Sequence, residues 1–215
     1  MLRRKSAVVL AWCAALLGAM QLPVRLGAPA PDWQVAEASG QSVSLSRHIR
    51  QHKRDAVILA PRQGATVPGA VVEDAAKRLA ARDADLLVVP PKPGAPREGI
   101  EALAPATVLV DSGGAVRRVE PGRLLEGKDL EEFVEQWRLG REVFFVSCAR
   151  CHGDDGSLEI CGDVKPLTGI GNRLSPAQVY ERLRVGELGE LDVLIRGRFH
   201  KRKEVEAVVV FVRGL

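Results

Sequence analysis

Five consecutive residues, Cys148-Ala149-Arg150-Cys151-His152, constrain this chain more than any other stretch. The C-x-x-C-H spacing is the pattern that attaches a c-type haem covalently. Two thiols add across the two vinyl groups of one porphyrin edge, and the histidine directly after the second thiol is held under the iron as its proximal ligand. Losing any of the three removes a tether or the axial base.

The flanks carry a pattern of their own. Gly140 and Phe144 precede Cys148 by eight and four residues, which sets all three along one side of a helix running into the pentapeptide. Gly153-Asp154-Asp155-Gly156 then breaks that helix. The run from Lys201 to Gly214 carries Val205, Val208, Val209 and Val212 at helical spacing. Two other chemistries suit the cysteines themselves. Cys148, Cys151 and Cys161 with a histidine have the donor set of a zinc site, and a disulfide between Cys148 and Cys151 would make no use of His152. The flanking glycine and aromatic favour haem.

At these residues the chain resembles the class I cytochrome c family over about residues 138–215, through Gly140, Phe144 and Cys148-x-x-Cys151-His152-Gly153. The resemblance implies that the first and last helices cross near Gly140 and that Phe211 packs at the crossing. It also implies that the Pro166 carbonyl accepts the other ring proton of His152, as outer-shell groups orient a ligating histidine. One departure stands out: the family's distal methionine is missing, because the only methionines are Met1 and Met20. His200 is the first candidate for the sixth ligand, with Cys161, a deprotonated Lys201 and an open position as the others. The basic residues Arg196, Arg198, Lys201, Arg202 and Lys203 suit either an acidic redox partner or a solvated face.

The chain has 215 residues, enough for a leader and two small domains of about 75 to 110 residues. A net charge of +4 without a long polybasic run speaks against nucleic acid as a partner. Residues 1–27 read as an export signal or a retained N-terminal membrane anchor: Arg3, Arg4 and Lys5 form the charged head, and Ala7 to Met20 form the apolar core. A periplasmic or exported location follows, and it agrees with haem attachment in the family.

Residues 28–137 alternate strand and helix. Ala56–Ala60 and Asp85–Val89 read as buried parallel strands, with a helix from Val71 to Arg82 between them. Thr107–Asp111 and Ala115–Val119 read as two further strands round the turn Ser112-Gly113-Gly114, and Asp129–Trp137 as a closing helix. With Ala104-Pro105 leading into the third strand, this order resembles the thioredoxin-like fold of the peroxiredoxin and thiol-reductase type. The resemblance implies a cis Pro105 beside the redox cysteines. Val67 and Ala70 stand where those thiols would be, so the unit lacks the family's chemistry and reads as a docking module or a spacer. The proline-rich loop from Pro90 to about Glu98 falls on the same side as Pro105.

No linker separates the halves, since Leu130–Trp137 runs into Arg138-Leu139-Gly140-Arg141 without a change in composition. Ser175 is expected to cap a helix over Pro176–Arg184. The expected architecture is therefore an α/β thioredoxin-like domain followed by an all-α cytochrome c domain. The expected product is an exported monohaem cytochrome that passes single electrons to redox protein partners and is not an enzyme. A haem-based sensor with an open distal site, or a structural haem subunit of a larger complex, are the alternatives.

Overall fold

A computed structural model of the chain describes residues 24–90, 99–158, 165–185 and 202–215. The leader through residue 23, the loop 91–98, Cys161, and the stretch 186–201 with His200 and Lys201 lie outside the described residues.

The architecture is α/β, built on one six-stranded mixed sheet of order β2-β1-β4-β3-β5-β6. Its strands are β1 (Gln34–Glu37), β2 (Ser42–Ser44), β3 (Asp55–Ala60), β4 (Ala84–Val88), β5 (Ala106–Val110) and β6 (Val116–Pro121). Every residue of β3 and of β5 is buried, as the continuous apolar runs Ala56–Ala60 and Thr107–Val110 require of strands covered on both faces. β3 and β4 pair in parallel, with Val57 opposite Leu86. Between them runs α2 (Gly69–Ala80), which completes a βαβ unit. β5 returns antiparallel to β3, Ala106 opposite Ala60, and β6 follows as a hairpin.

The hairpin β1–β2 and the helix α1 (Leu45–His52) had no counterpart in the expected element order. Their apolar content is small: α1 buries Leu45 and Ile49 on its sheet side, together with His48. These lie against Val35, Ile58, Leu87 and Val108 on one face of the sheet. The opposite face meets Ala75 and Leu79 of α2 and a long helix, α3 (Gly127–Ser147).

α3 runs through Trp137 and Gly140 without interruption. Its first half covers the sheet with Leu130, Phe133 and Val134, and its second half packs against α7 (Arg202–Arg213). Both halves belong to one hydrophobic core that holds Val57, Leu109, Phe133, Phe144, Val208, Phe211 and Leu215 together. A separate all-α domain is therefore not evident. A helix that serves both halves leaves the core nowhere to divide.

Gly140 permits the approach of α3 and α7. A Cβ at this position would lie 2.0 Å from the Ala207 carbonyl oxygen and 2.8 Å from Phe211 Cβ. Phe211 fills the space beside the contact, its ring 4.5 Å from Trp137 and 5.0 Å from Phe144. The far end of α7 docks on β6: the Arg117 guanidinium donates to the Gly214 carbonyl at 2.7 Å and to Asp111 at 2.6 Å. Gly214 needs to be small there as well, because a Cβ would meet the Arg117 carbonyl at 2.5 Å.

Two short helices complete the described chain before α7. They are α5 (Ile170–Arg173) and α6 (Pro176–Val185), preceded by α4 (Ala149–His152). α6 opens on a capping box: Ser175 Oγ accepts from Gln178 N–H at 3.3 Å, and Gln178 Oε1 accepts from Ser175 N–H at 2.8 Å.

Overpacking a close contact of this kind costs about 1–3 kcal/mol. Gly140→Ala is accordingly expected to lower the free energy of unfolding by that amount, seen as a lower urea midpoint at an unchanged m-value, while Gly40→Ala, which meets nothing within 4 Å, costs only the strain of its φ of +85°.

Candidate functional site

The pentapeptide is reached through the end of α3. The helix stops at Ser147, Cys148 leaves it at φ −120°, and α4 carries Ala149 to His152 in one further turn. Gly153, at φ +74°, turns the chain out of α4. A side chain there would strike Leu158, whose Cγ would be 2.8 Å from the new Cβ. Leu158 N–H donates to the His152 carbonyl at 2.9 Å, which closes the loop under the site.

Cys148, Cys151 and His152 are all buried. Phe144 lies one turn before Cys148 and ties it to the Gly140 crossing, since Cys148 N–H donates to the Phe144 carbonyl at 2.7 Å. Gly140, Phe144 and Cys148 are all buried within the same core region, on the side of α3 that faces α7. Around this buried set, Phe145 and Leu158 are left 41% and 46% exposed, which gives the site an apolar border.

The electrostatics keep these groups uncharged. Burial pushes the Cys148 thiol up to about 11. Burial likewise lowers the proton affinity of His152, so its imidazole is neutral at ordinary pH. A neutral imidazole is the form that ligates a metal. His152 Nδ1 is buried without a hydrogen-bond partner. Pro166, the residue expected to accept its proton, instead takes a long contact of 3.5 Å from the Arg173 guanidinium.

Cys148 is a free thiol, whereas Cys151 is disulfide-bonded. A disulfide between Cys148 and Cys151 is therefore not formed. A disulfide sulfur has no thiolate to offer a metal, so a zinc site using Cys148 and Cys151 together is not assembled in this state either. His200, Cys161 and Lys201 lie outside the described residues. Of the basic cluster, Arg202 and Lys203 are described and exposed, with Arg202 paired to Glu206 at 2.7 Å.

In the α/β half, the Ala104-Pro105 bond is cis. Pro105 immediately precedes Ala106, which pairs with Ala60 at the end of β3. α2 opens at Gly69 after Pro68, and Val67 and Ala70 stand at its entry without a thiol. Val67 instead packs against the core.

A second group of convergent polar side chains lies at the other end of the sheet and was not part of the expected site. His48 and His52 of α1 stack with ring centroids 4.3 Å apart, and both face Glu37 of β1 and Asp85 of β4. The His-x-x-x-His spacing is its one sequence signal; the carboxylates join only through strand register. No helix among the described residues is long and apolar enough to cross a membrane.

Two measurements on the haem-free chain follow from the burial of Cys148 and His152. A thiol moved from 9.0 to about 11 exposes roughly a hundredth of the usual thiolate at neutral pH; alkylation of Cys148 is expected to be about that much slower in the folded chain than in urea. For His152 the unfolded chain takes up a proton near pH 6.5 and the folded chain only lower. Its contribution to stability is thus complete above about pH 6.5 and lost as pH falls through the folded value. Urea titrations of wild type and His152→Gln at neutral pH and near pH 5 are expected to show a shallower pH dependence in the variant. No family model matches the chain, and no curated protein matches it.

Proposed function

We propose that the protein is an exported c-type cytochrome that carries one covalently attached haem and transfers single electrons to redox protein partners. The observation that carries this reading is the crossing at Gly140. A glycine eight residues before Cys148 lets the last helix come within backbone contact, and Phe211 packs the gap. That arrangement is what the resemblance to class I cytochromes c requires, and nothing in a disulfide or zinc site calls for it.

Haem fits the residues on further counts. His152 is buried and neutral, with an orphaned Nδ1 that accounts for a second-shell partner yet to be supplied. Phe145 and Leu158 are apolar and partly exposed beside it, as residues that cover a flat apolar group would be. When bound, haem supplies the one-electron iron couple. His152 would supply a nitrogen ligand, Cys148 and Cys151 would supply the thioether tethers, and Phe144 and Phe211 would close the interior side against water. Attachment would need Cys151 as a thiol, so its disulfide would first be cleaved by two equivalents of a thiol reductant, which leave as their own disulfide.

In the finer fold reading, residues 28–137 are a thioredoxin-like unit without its thiols and residues 138–215 a cytochrome unit, joined through α3. The run β4-β3-β5-β6, with its βαβ unit and cis Pro105, supports the first part. For the second, His200 remains the first candidate for the distal ligand.

Absorption spectra of protein matured with haem in a periplasm, oxidised and reduced, with and without carbon monoxide, test this reading. The expected wild-type spectrum is low-spin and indifferent to carbon monoxide, whereas His200→Ala is expected to bind it. An unchanged His200→Ala spectrum would remove His200 as ligand. A wild type that binds carbon monoxide would replace electron transfer by small-ligand binding, and a chain with no covalent haem would end the cytochrome reading.

A further inference from the structure

The four side chains over the β1–β4 pair come from three separate elements and converge by construction. Glu37 pairs with Leu87 across the β1–β4 ladder, and Asp85 stands two residues before Leu87. Directly opposite residues share a face, and so do residues two apart, so both carboxylates project to the same side of the sheet. α1 lies on that side, held by Leu45 and Ile49, and His48 and His52 one turn apart meet the carboxylates.

Each ring nitrogen of the two histidines faces a carboxylate. His48 Nδ1 is 2.9 Å from Glu37 Oε1, and His48 Nε2 is 3.0 Å from Asp85 Oδ2. His52 faces the same two oxygens, with Nε2 4.0 Å from Glu37 and Nδ1 3.6 Å from Asp85. His48 is only 4% exposed, so its ring is enclosed by these groups. Two imidazoles and two carboxylates thus converge over one point of the sheet.

We propose that Glu37, His48 and His52 bind one divalent transition-metal ion of the zinc class, with Asp85 orienting His48 from behind. One ligand atom from each of Glu37, His48 and His52 lies within 4.8 Å of the other two. Two imidazoles and a carboxylate are a donor set for zinc, copper or nickel rather than for magnesium or calcium. Tetrahedral ligation at about 2.0–2.2 Å sets donors roughly 3.4 Å apart, so Glu37 Oε1 and His48 Nδ1, at 2.9 Å, open by about half an ångström while His52 Nε2, 4.0 Å from Glu37 and 37% exposed, swings in by a similar amount. Asp85 then accepts the remaining Nε2–H of His48, which completes a carboxylate–histidine–metal arrangement. Arg54, 3.7 Å from Asp85 and paired with Asp83, stays outside the donor set and holds Asp85 on its other oxygen. Three protein ligands leave a fourth position open to solvent.

The site is far in sequence from Cys148 and owes nothing to haem, so it is tested separately. Zinc chloride is titrated calorimetrically at neutral pH into the full chain of wild type, His52→Ala and Asp85→Asn. Any zinc taken by Cys148 appears equally in all three. Wild type is expected to bind one equivalent that His52→Ala loses or holds at least about 100-fold more weakly; Asp85→Asn is expected to keep the equivalent at about 10- to 100-fold lower affinity. Nitrogen NMR of the imidazoles should show zinc at His48 Nδ1 with Nε2 still protonated. Equal zinc binding in wild type and His52→Ala would overturn the proposal. So would a wild type that takes up no zinc. Circular dichroism of His52→Ala, a partly exposed side chain, checks that the variant is folded.

Discussion

Two helix backbones come into direct contact where α3 meets α7 at Gly140, and most of the remaining structure depends on it. The Ala207 carbonyl occupies the volume in which any other residue would carry its Cβ. With the helices that near, Phe211 reaches both Trp137 and Phe144. Removing such a ring from a core costs about 3–5 kcal/mol, a large fraction of the 5–15 kcal/mol by which domains are stable. The crossing therefore fixes the direction of the last turn of α3, and through it the position of Cys148.

α3 also explains why the two halves share a core. Its first half closes one face of the sheet with Leu130, Phe133 and Val134, and its second half carries Gly140, Phe144 and the approach to the pentapeptide. Arg117 strengthens the same union from the sheet side. It holds Asp111 in the β5–β6 turn, the Gly214 carbonyl beyond α7, and the face of Trp137 at 5.7 Å. A site carried on such a helix moves with the sheet rather than on a tether.

The two candidate sites occupy different environments and are built differently. The Cys148–His152 site is sequential, buried, apolar and uncharged, with burial alone setting the proton affinities of the thiol and the imidazole. The Glu37–His48–His52–Asp85 group is polar and partly open, and it is assembled across β1, β4 and α1. Sequential sites of the first kind are found by spacing. Sites of the second kind require knowing which strand residues stand opposite one another.

The sequence by itself determined the central strands, α2, α6 and α7, because their apolar runs and helical periodicities are strong enough to read locally. It also determined the pentapeptide with its preceding Gly140 and Phe144, the capping residue Ser175, and the absence of thiols at Val67 and Ala70. The short hairpin Gln34–Ser44 and α1 escaped local reading, because a three- or four-residue strand and a helix with two apolar positions have too little pattern to stand out. Tertiary structure alone decided that α3 continues past Trp137 through Gly140, since a glycine inside a helix lowers its local propensity and only the facing α7 backbone rewards it. It likewise decided that Cys148 is the free thiol of the pair. The meeting of His48 and His52 with Glu37 and Asp85 was decided there too, because the Glu37-to-Leu87 register of β1 and β4 is a property of the folded sheet and of no single stretch of chain.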